Sequence, residues 1–254
     1  MAGWSRADLV TRPISDIEAS VLSAFLALVE ERVTRRPIQH LIGTQAFWRH
    51  DFVVTRDVLT PRPETELVVE AALDALRAVR EPLIVDVGTG SGAIALSIAA
   101  ERADARVHAI DISAPALAVA RVNAGRLRLG ERVRFHLGDL LEPMRDRFGT
   151  IDLVASNPPY VDPTELAGLA PEVKDHEPTV ALVADGDRYS VYRRLVPVAA
   201  EALRPGGWLM MEAGLGMADE VSFVCASSGL EVTEIVADLQ GLPRLVVARR
   251  PTTP

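Results

Sequence analysis

One cysteine, Cys225, and one lysine, Lys174, occur in 254 residues. A single thiol excludes an intrachain disulfide framework and a cysteine-rich zinc site. The lone lysine beside abundant arginine reads as nucleotide composition rather than function. No run of about 18 apolar residues occurs, so no membrane-spanning helix is expected. The stretch from Met1 to Asp8 lacks the basic-then-apolar pattern of a signal peptide, and a reducing cytoplasmic location is expected. A basic excess is also missing. The formal net charge of -8 excludes a whole-surface basic field for nucleic acid, and no stable nucleic-acid binding is expected. What is present is a hydrophobic share of 48% against 24% charged, which excludes disorder, collagen and coiled coil and supplies a sizeable core. The length fits one large domain, or one with a small appendage.

The first segment runs to about Arg36. Ile14, Ile17, Val21, Ala24 and Leu28 recur at helical spacing, and Leu22, Leu26, Val29 and Val33 form a second stripe. Ser15 or Asp16 is the candidate cap. So wide an apolar band predicts a helix covered on more than one side. Pro37 ends it. Phe47-Trp48 and Phe52-Val53-Val54 then flank Arg49-His50-Asp51, which predicts a hairpin. Thr60-Pro61-Arg62-Pro63-Glu64-Thr65-Glu66 is a stiff extended loop, followed by a helix over 67–80.

From Pro82 onward, strand and helix signals alternate. Strands are predicted at Leu83–Val87, Val107–Ile110, Val133–Leu137, Ile151–Ala155 and Gly207–Met211. Helices are predicted at Ala93–Glu101, Ala114–Leu129, Tyr189–Leu203 and Met217–Ser228. Such alternation predicts a doubly wound, mostly parallel α/β sheet of seven strands. Leu230–Val236 and Arg244–Ala248 form a closing antiparallel pair. The expected organisation is a helical segment (1–36), a hairpin linker (37–63) and the α/β domain (64–254).

Asp86-Val87-Gly88-Thr89-Gly90-Ser91-Gly92 ends the first strand of that domain and opens a helix. Glycines let the backbone turn tightly and approach a ligand, and the helix N-terminus presents free N–H groups. Taken alone, Gly88-x-Gly90-x-x-Ala93 also fits a dinucleotide fingerprint. Asp111, ending the second strand, suits a ribose diol in either reading. Asp139, after the third, either accepts from an exocyclic amine or is a solvent-facing loop acid.

Ser156-Asn157-Pro158-Pro159-Tyr160 follows the fourth strand, where it faces the same crevice as the glycine loop. An Asn oxygen and a proline carbonyl together accept both protons of a planar NH2 group, and Tyr160 offers a ring face. The bland alternative is an Asn-Pro turn. The chain has only two asparagines, and this one stands where a nucleophile has to be held.

Glycine loop and Asn-Pro-Pro-Tyr together resemble the class I S-adenosylmethionine-dependent methyltransferases that act on planar nitrogens. More closely, the chain resembles the release-factor glutamine N5-methyltransferases over about Arg36 to Arg249. The matching stretches are Arg36-Pro37-Ile38-Gln39-His40-Leu41-Ile42-Gly43, Phe47-Trp48 and Leu59-Thr60-Pro61-Arg62-Pro63-Glu64-Thr65-Glu66. They continue through Asp86 to Leu96, Ser156 to Val161, Glu177-Pro178, Glu212-Ala213-Gly214 and Asp238 to Arg244. The resemblance implies that Asp86, Gly88, Thr89, Gly90, Ser91 and Gly92 cradle S-adenosylmethionine. It implies further that Asp111 holds the ribose, that Asp139 and Leu140 lie at the adenine, and that Asn157 bridges cofactor and substrate. Asn157, Pro158, Pro159 and Tyr160 then form the substrate clamp. The implied acceptor is the glutamine of the Gly-Gly-Gln motif in a peptide chain release factor. Two departures stand out. Only about 36 residues precede the match, against a family N-terminal domain of several helices, and Met217 stands where a glutamine is expected. The short helix has two uses: a reduced docking face, or pairing with a second copy in a homodimer.

Three other readings share part of this pattern. A DNA adenine methyltransferase also uses Asn-Pro-Pro-Tyr, but the net charge and the missing target-recognition domain oppose it. A dehydrogenase leaves Asn-Pro-Pro-Tyr unexplained, and a non-enzymatic binding module leaves the clamp without purpose. Transfer to a peptide or small-molecule amide or amine is the alternative to the release factor. His176, His108 and His136 are expected to be structural, Cys225 to be core and Trp208 to be packing. Arg62 and Glu64 either line the active-site mouth or pair with each other.

Overall fold

The structure, a computed structural model, describes residues 3–252 except Ile14 and Asp16. Helix α1 is Arg6–Thr11, α2 is Ala19–Val33 and α3 is Ile38–Ile42. Strands β1 (Thr44–Phe47) and β2 (His50–Val53) make the expected antiparallel hairpin, with Phe47 opposite His50. A 3-10 turn at Pro63–Thr65 leads into α4 (Glu66–Ala75). The α/β unit follows as β3 (Leu83–Val87), α5 (Ala93–Glu101), β4 (Arg106–Asp111), α6 (Ala114–Arg126), β5 (Val133–Leu137) and β6 (Ile151–Ser156). Short helices α7 (Pro171–Lys174) and α8 (Thr179–Leu182) precede α9 (Ser190–Ala202), β7 (Leu203–Glu212), α10 (Ala218–Ser227), β8 (Glu231–Ala237) and β9 (Pro243–Arg249).

The seven strands lie in the order β5-β4-β3-β6-β7-β9-β8. The first five are parallel; β9 runs antiparallel to both β7 and β8, which is the expected closing pair. Growth of the sheet reverses between β3 and β6, and the crevice at that reversal is where such sheets hold ligands. Strands β3 and β6 are buried at every position, as apolar runs covered on both faces must be. On one face Val85, Val154 and Leu209 pack with Tyr192, Leu195 and Val221 of α9 and α10. On the other, Ile84, Val107 and Leu153 pack with Val68, Leu96 and Ile98 of α4 and α5. Each such side chain contributes about 1.5–3 kcal/mol on burial.

Several expectations need correction. The helix read through Ile14 begins only at Ala19, with Glu18 rather than Ser15 at its cap position and no side-chain cap bond. Ile14 and Asp16, one a stripe residue and the other a candidate cap, lie outside the described residues. The wide apolar band is not covered: α2 has no buried residue, and Phe25, Leu26 and Val33 stand exposed. Ion pairs from Arg32 (2.9 Å) and Arg35 (3.0 Å) to Glu172 tie it to α7. Helix α4 stops at Ala75, and β7 begins at Leu203, four residues early, because a register irregularity opposite β6 absorbs Arg204-Pro205-Gly206-Gly207. No helix among the described residues is long and apolar enough to cross a membrane. His108 and His136 lie 2.9 Å apart, Nδ1 to Nε2, as stacked rings, and Cys225 is buried, its thiol pushed up to about 12 by desolvation.

Candidate active site

A cleft of about 380 Å³ opens at the C-terminal ends of β3, β4 and β6. Gly88, Gly90 and Gly92 form one wall, with φ of 71°, 56° and 84°, a region that disfavours any side chain. A Cβ on Gly92 would stand 2.8 Å from Leu96 Cδ1. The loop is held from two sides. Gly88 and Thr89 N–H groups both donate to the Ile110 carbonyl, at 2.9 and 3.0 Å. Below it, Asp86 Oδ2 accepts from Thr89 Oγ1 (2.6 Å) and from the Ala95 N–H (3.2 Å). Asp86 is fully buried and its Oδ1 has no partner among the described residues. Burial pushes this carboxyl up to about 7, against the two hydrogen bonds.

Asp111 projects from the end of β4. Its Oδ2 accepts from the Gly90 N–H (2.8 Å) and its Oδ1 from the Ser113 N–H (2.9 Å). Burial raises its pKa, and these backbone donors oppose the rise. With the Ile112 N–H also turned toward it, the carboxylate still keeps lone-pair capacity for a ligand hydroxyl. Asp139 and Leu140 line the same cleft, and Asp139 Oδ2 is engaged by Arg194.

Across the cleft, Asn157, Pro158 and Pro159 follow β6. Asn157 Nδ2 donates to Thr65 Oγ1 (3.1 Å), and Thr65 Oγ1 donates to Glu212 Oε2 (2.5 Å). Among the described residues, Asn157 Oδ1 and the Pro158 carbonyl have no protein donor. Burial pushes Glu212 up to about 7, against the Thr65 hydrogen bond. Tyr160 packs beside Gly214, where a Cβ would meet its ring at 2.9 Å and Met217 Sδ at 2.6 Å. Met217, the departure from the family pattern, thus fills the space over Gly214 and is itself buried. Burial raises Tyr160 to about 12, so its phenol stays protonated.

The residues expected from the sequence divide accordingly. Gly88, Thr89, Gly90, Ser91, Asp111, Asp139, Leu140, Asn157, Pro158 and Pro159 line one cleft. Asp86 supports the loop from below, Gly92 caps α5, and Tyr160 stands behind the clamp; these three are not on the cleft wall. Arg62 and Glu64 are not paired with each other among the described residues, and neither is on the cleft wall. Arg62 pairs with buried Glu177 (2.7 Å), which also accepts from the Thr60 N–H (3.2 Å) and so anchors the proline loop. His176 is off the cleft; its N–H closes a turn on the Val173 carbonyl.

Thr65 went unsingled in the sequence, and so did Asn123 of α6. Asn123 Oδ1 accepts from the Val53 N–H (2.7 Å). Its Nδ2 donates to the carbonyls of Val53 (3.0 Å) and Ser91 (2.9 Å). One buried amide therefore joins the hairpin to the glycine loop.

Comparison with known proteins decides the family. Residues 65–171 match the Methyltransferase small domain, and residues 1–43 match the PrmC N-terminal domain. The release factor glutamine methyltransferase of Geobacter sulfurreducens is 40% identical over 247 residues, covering 97% of this chain and 85% of that protein. That of Burkholderia pseudomallei is 41% identical over 256 residues, covering 98% and 88%. The chain belongs to the release factor glutamine methyltransferase family. The N-terminal match carries the likeness, legible in the motifs only from Arg36, back to residue 1.

Solved structures agree on the fold alone. The hMettl16 catalytic domain superposes with a TM-score of 0.60 at 14% identity, covering 77% of this chain and 72% of that one. The precorrin-6y C5,15-methyltransferase of Geobacter metallireducens gives 0.54 at 13%, covering 78% and 94%. Methyltransferases of this family depend on S-adenosylmethionine, and the cleft fits it. Its glycine wall leaves room for a close backbone approach, the Asp111 carboxylate has lone pairs to spare, and Ile112, Leu140 and Pro158 give apolar lining for a flat base.

Proposed function

We propose that this chain transfers a methyl group from S-adenosylmethionine to the side-chain N5 of a glutamine in a peptide chain release factor. The observation that supports this most directly is the pair of acceptors left without donors, Asn157 Oδ1 and the Pro158 carbonyl, in the cleft that Asp111 and the glycine loop also line. Asp111 would hold the ribose, Gly88 to Ser91 the methionine part, and Asp139 with Leu140 the adenine. Asp139 Oδ1 is the oxygen that Arg194 leaves to an exocyclic amine. The bound cofactor would supply an electrophilic methyl carbon, and the proton shed by the methylated nitrogen leaves to water.

The chain's own residues then position the acceptor. Two hydrogen bonds from the glutamine NH2 group, to Asn157 Oδ1 and the Pro158 carbonyl, hold a nitrogen that would otherwise rotate. They also raise its electron density and strengthen as its protons become more acidic. That is stabilisation aimed at developing charge, with reacting atoms kept in near-attack geometry. Tyr160, protonated and packed on Gly214, backs the clamp. Translation factors work in the cytoplasm, so this reading places the enzyme there. The exposed apolar residues of α2 give a docking face for so large a substrate; no finding supports the dimer expected through that helix.

The test is mass spectrometry of a purified release factor after incubation with enzyme and S-adenosylmethionine, beside its Gln→Ala variant at Gly-Gly-Gln. A 14 Da gain, about one CH2, on the intact factor alone is the expected result. No gain from an enzyme that binds S-adenosylhomocysteine refutes the substrate assignment.

A further inference from the structure

We infer that Thr65 and Glu212 decide which end of the Asn157 amide faces the cleft, and so whether the site accepts a hydrogen-bond donor or an acceptor. The inference rests on the proposed glutamine substrate. Its logic is a proton count. A carboxylate has no proton to give, so the Thr65 hydroxyl donates to Glu212. A hydroxyl has one proton, so Thr65 Oγ1 can then only accept from Asn157. The amide must turn its NH2 inward to Thr65, and its oxygen is left for the cleft. The reverse orientation would set two acceptor oxygens against each other. An outward oxygen grips the NH2 of a glutamine and repels the carboxylate of a glutamate.

The three groups sit on separate elements: Thr65 at the entrance to α4, Asn157 after β6 and Glu212 at the end of β7. Glu212 is buried, and Thr65 is the one side-chain donor to its carboxylate among the described residues. The two arginines that face it are each held by another carboxylate. Arg62 comes from the proline loop and is held by Glu177; Arg244 comes from β9 and is held by Asp238 (3.2 Å). Glu64 approaches from the 3-10 turn, Tyr160 from the clamp and Tyr192 from α9, and Tyr192 Oη donates to the Glu212 backbone carbonyl (2.8 Å). Burial first, then Glu64, raises this carboxyl to about 7, while Thr65, Arg244 and Arg62 lower it. Once protonated, Glu212 can donate to Thr65 Oγ1. Thr65 then turns its own proton toward Asn157, and the amide is free to flip. Turnover should therefore fall as the pH drops through the range where Glu212 takes up its proton. Thr65 and Glu212 are positioning residues; Asn157 makes the contact.

The experiment measures kcat and KM for release-factor methylation between about pH 6 and pH 9 in wild type, Thr65→Val, Thr65→Ser and Glu212→Gln. Thr65→Val should lower kcat roughly tenfold or more while leaving the KM for S-adenosylmethionine within about twofold. Thr65→Ser, which keeps the hydroxyl, should recover kcat to within about threefold of wild type. Glu212→Gln keeps an acceptor oxygen that cannot be protonated, so the acid-side fall in kcat should disappear. A release factor with glutamate in place of the target glutamine should inhibit wild type roughly tenfold more weakly than it inhibits Thr65→Val. The relay is overturned alone if wild type methylates the factor and Thr65→Val does so equally well. A Glu212→Gln enzyme that keeps the acid limb overturns it too, and does not depend on Thr65→Val folding. If wild type fails to methylate the factor, the functional reading falls, and the relay with it.

Discussion

Asn123 offers the most direct test of how the site is held in place. Replacing it with leucine keeps the number and branching of the side chain's heavy atoms in a buried position and removes all three hydrogen bonds. The Ser91 carbonyl is then left buried and unpaired, at a cost of about 1–3 kcal/mol. The Val53 N–H and carbonyl are only partly buried, so water recovers part of their loss, at about 0.5–1.5 kcal/mol each. Together the substitution should cost roughly 2–6 kcal/mol, a large share of the roughly 5–15 kcal/mol that holds a domain folded. Urea unfolding followed by tryptophan fluorescence gives the stability. Calorimetry with S-adenosylhomocysteine should show binding weakened about tenfold, because Ser91 belongs to the glycine wall. Asn123→Asp should be no milder: it still accepts from Val53 but sets a carboxylate against two carbonyls. A loss under about 1 kcal/mol for the leucine variant would show that the amide is not what joins hairpin and loop.

Three further expectations can be checked alongside. Asp111→Ala should weaken S-adenosylhomocysteine binding by roughly tenfold or more by calorimetry, with the far-ultraviolet dichroism of a folded chain; unchanged affinity would remove Asp111 from the ribose site. Gly214→Ala places a methyl 2.6 Å from Met217 Sδ and 2.9 Å from the Tyr160 ring, so it should cost about 1–3 kcal/mol in urea and lower kcat more than it raises the KM for cofactor. Asp86 ionises near its ordinary 3.8 when unfolded and at about 7 when folded, so its contribution to stability falls as the pH rises between those values. The stability of Asp86→Asn relative to wild type should therefore increase from about pH 4 to pH 8, and a difference that does not vary with pH would contradict the burial cost assigned to this carboxyl.

Much of the α/β half was legible because its signals are local. Leu83–Val87 is an apolar run closed by glycines, and Ala93–Glu101 is a compact helix; both came out at the residues expected. So did Val133–Leu137. The cleft was legible for a related reason: the ends of β3, β4 and β6 each carry their cleft-lining residues within a few positions of the strand. What escaped depends on long separations. Thr65 and Glu212 are 147 residues apart, and Asn123 reaches Val53 over 70; a threonine in a proline loop and an asparagine in mid-helix send no signal of their own. The helices at Pro171–Lys174 and Thr179–Leu182 are too short for a period to show. Helix α2 misled in the opposite direction, since its stripes promise a cover that the described residues do not provide.

The gap between the two sides of the cleft has an uncommon origin. Val87 and Ser156 are register partners at the ends of β3 and β6, and Ser156 Oγ donates to the Val87 carbonyl (2.8 Å). The next residues are Gly88, proposed to face the cofactor, and Asn157, proposed to face the acceptor, so close that a Cβ on Gly88 would come within 4.0 Å of the Asn157 carbonyl oxygen. The spacing of the glycine loop from Asn157, which under the proposed function sets methyl donor against acceptor, is thus fixed at its root by one strand spacing, about 4.8 Å. Central buried strands open only with the whole domain. Warming should therefore leave that separation untouched until the sheet itself melts, and a single activation enthalpy should describe the chemical step across the working range. Relatives adapted to hot or cold habitats would then have to tune their rates through the loops that admit the release factor, leaving this pair of strands as it is.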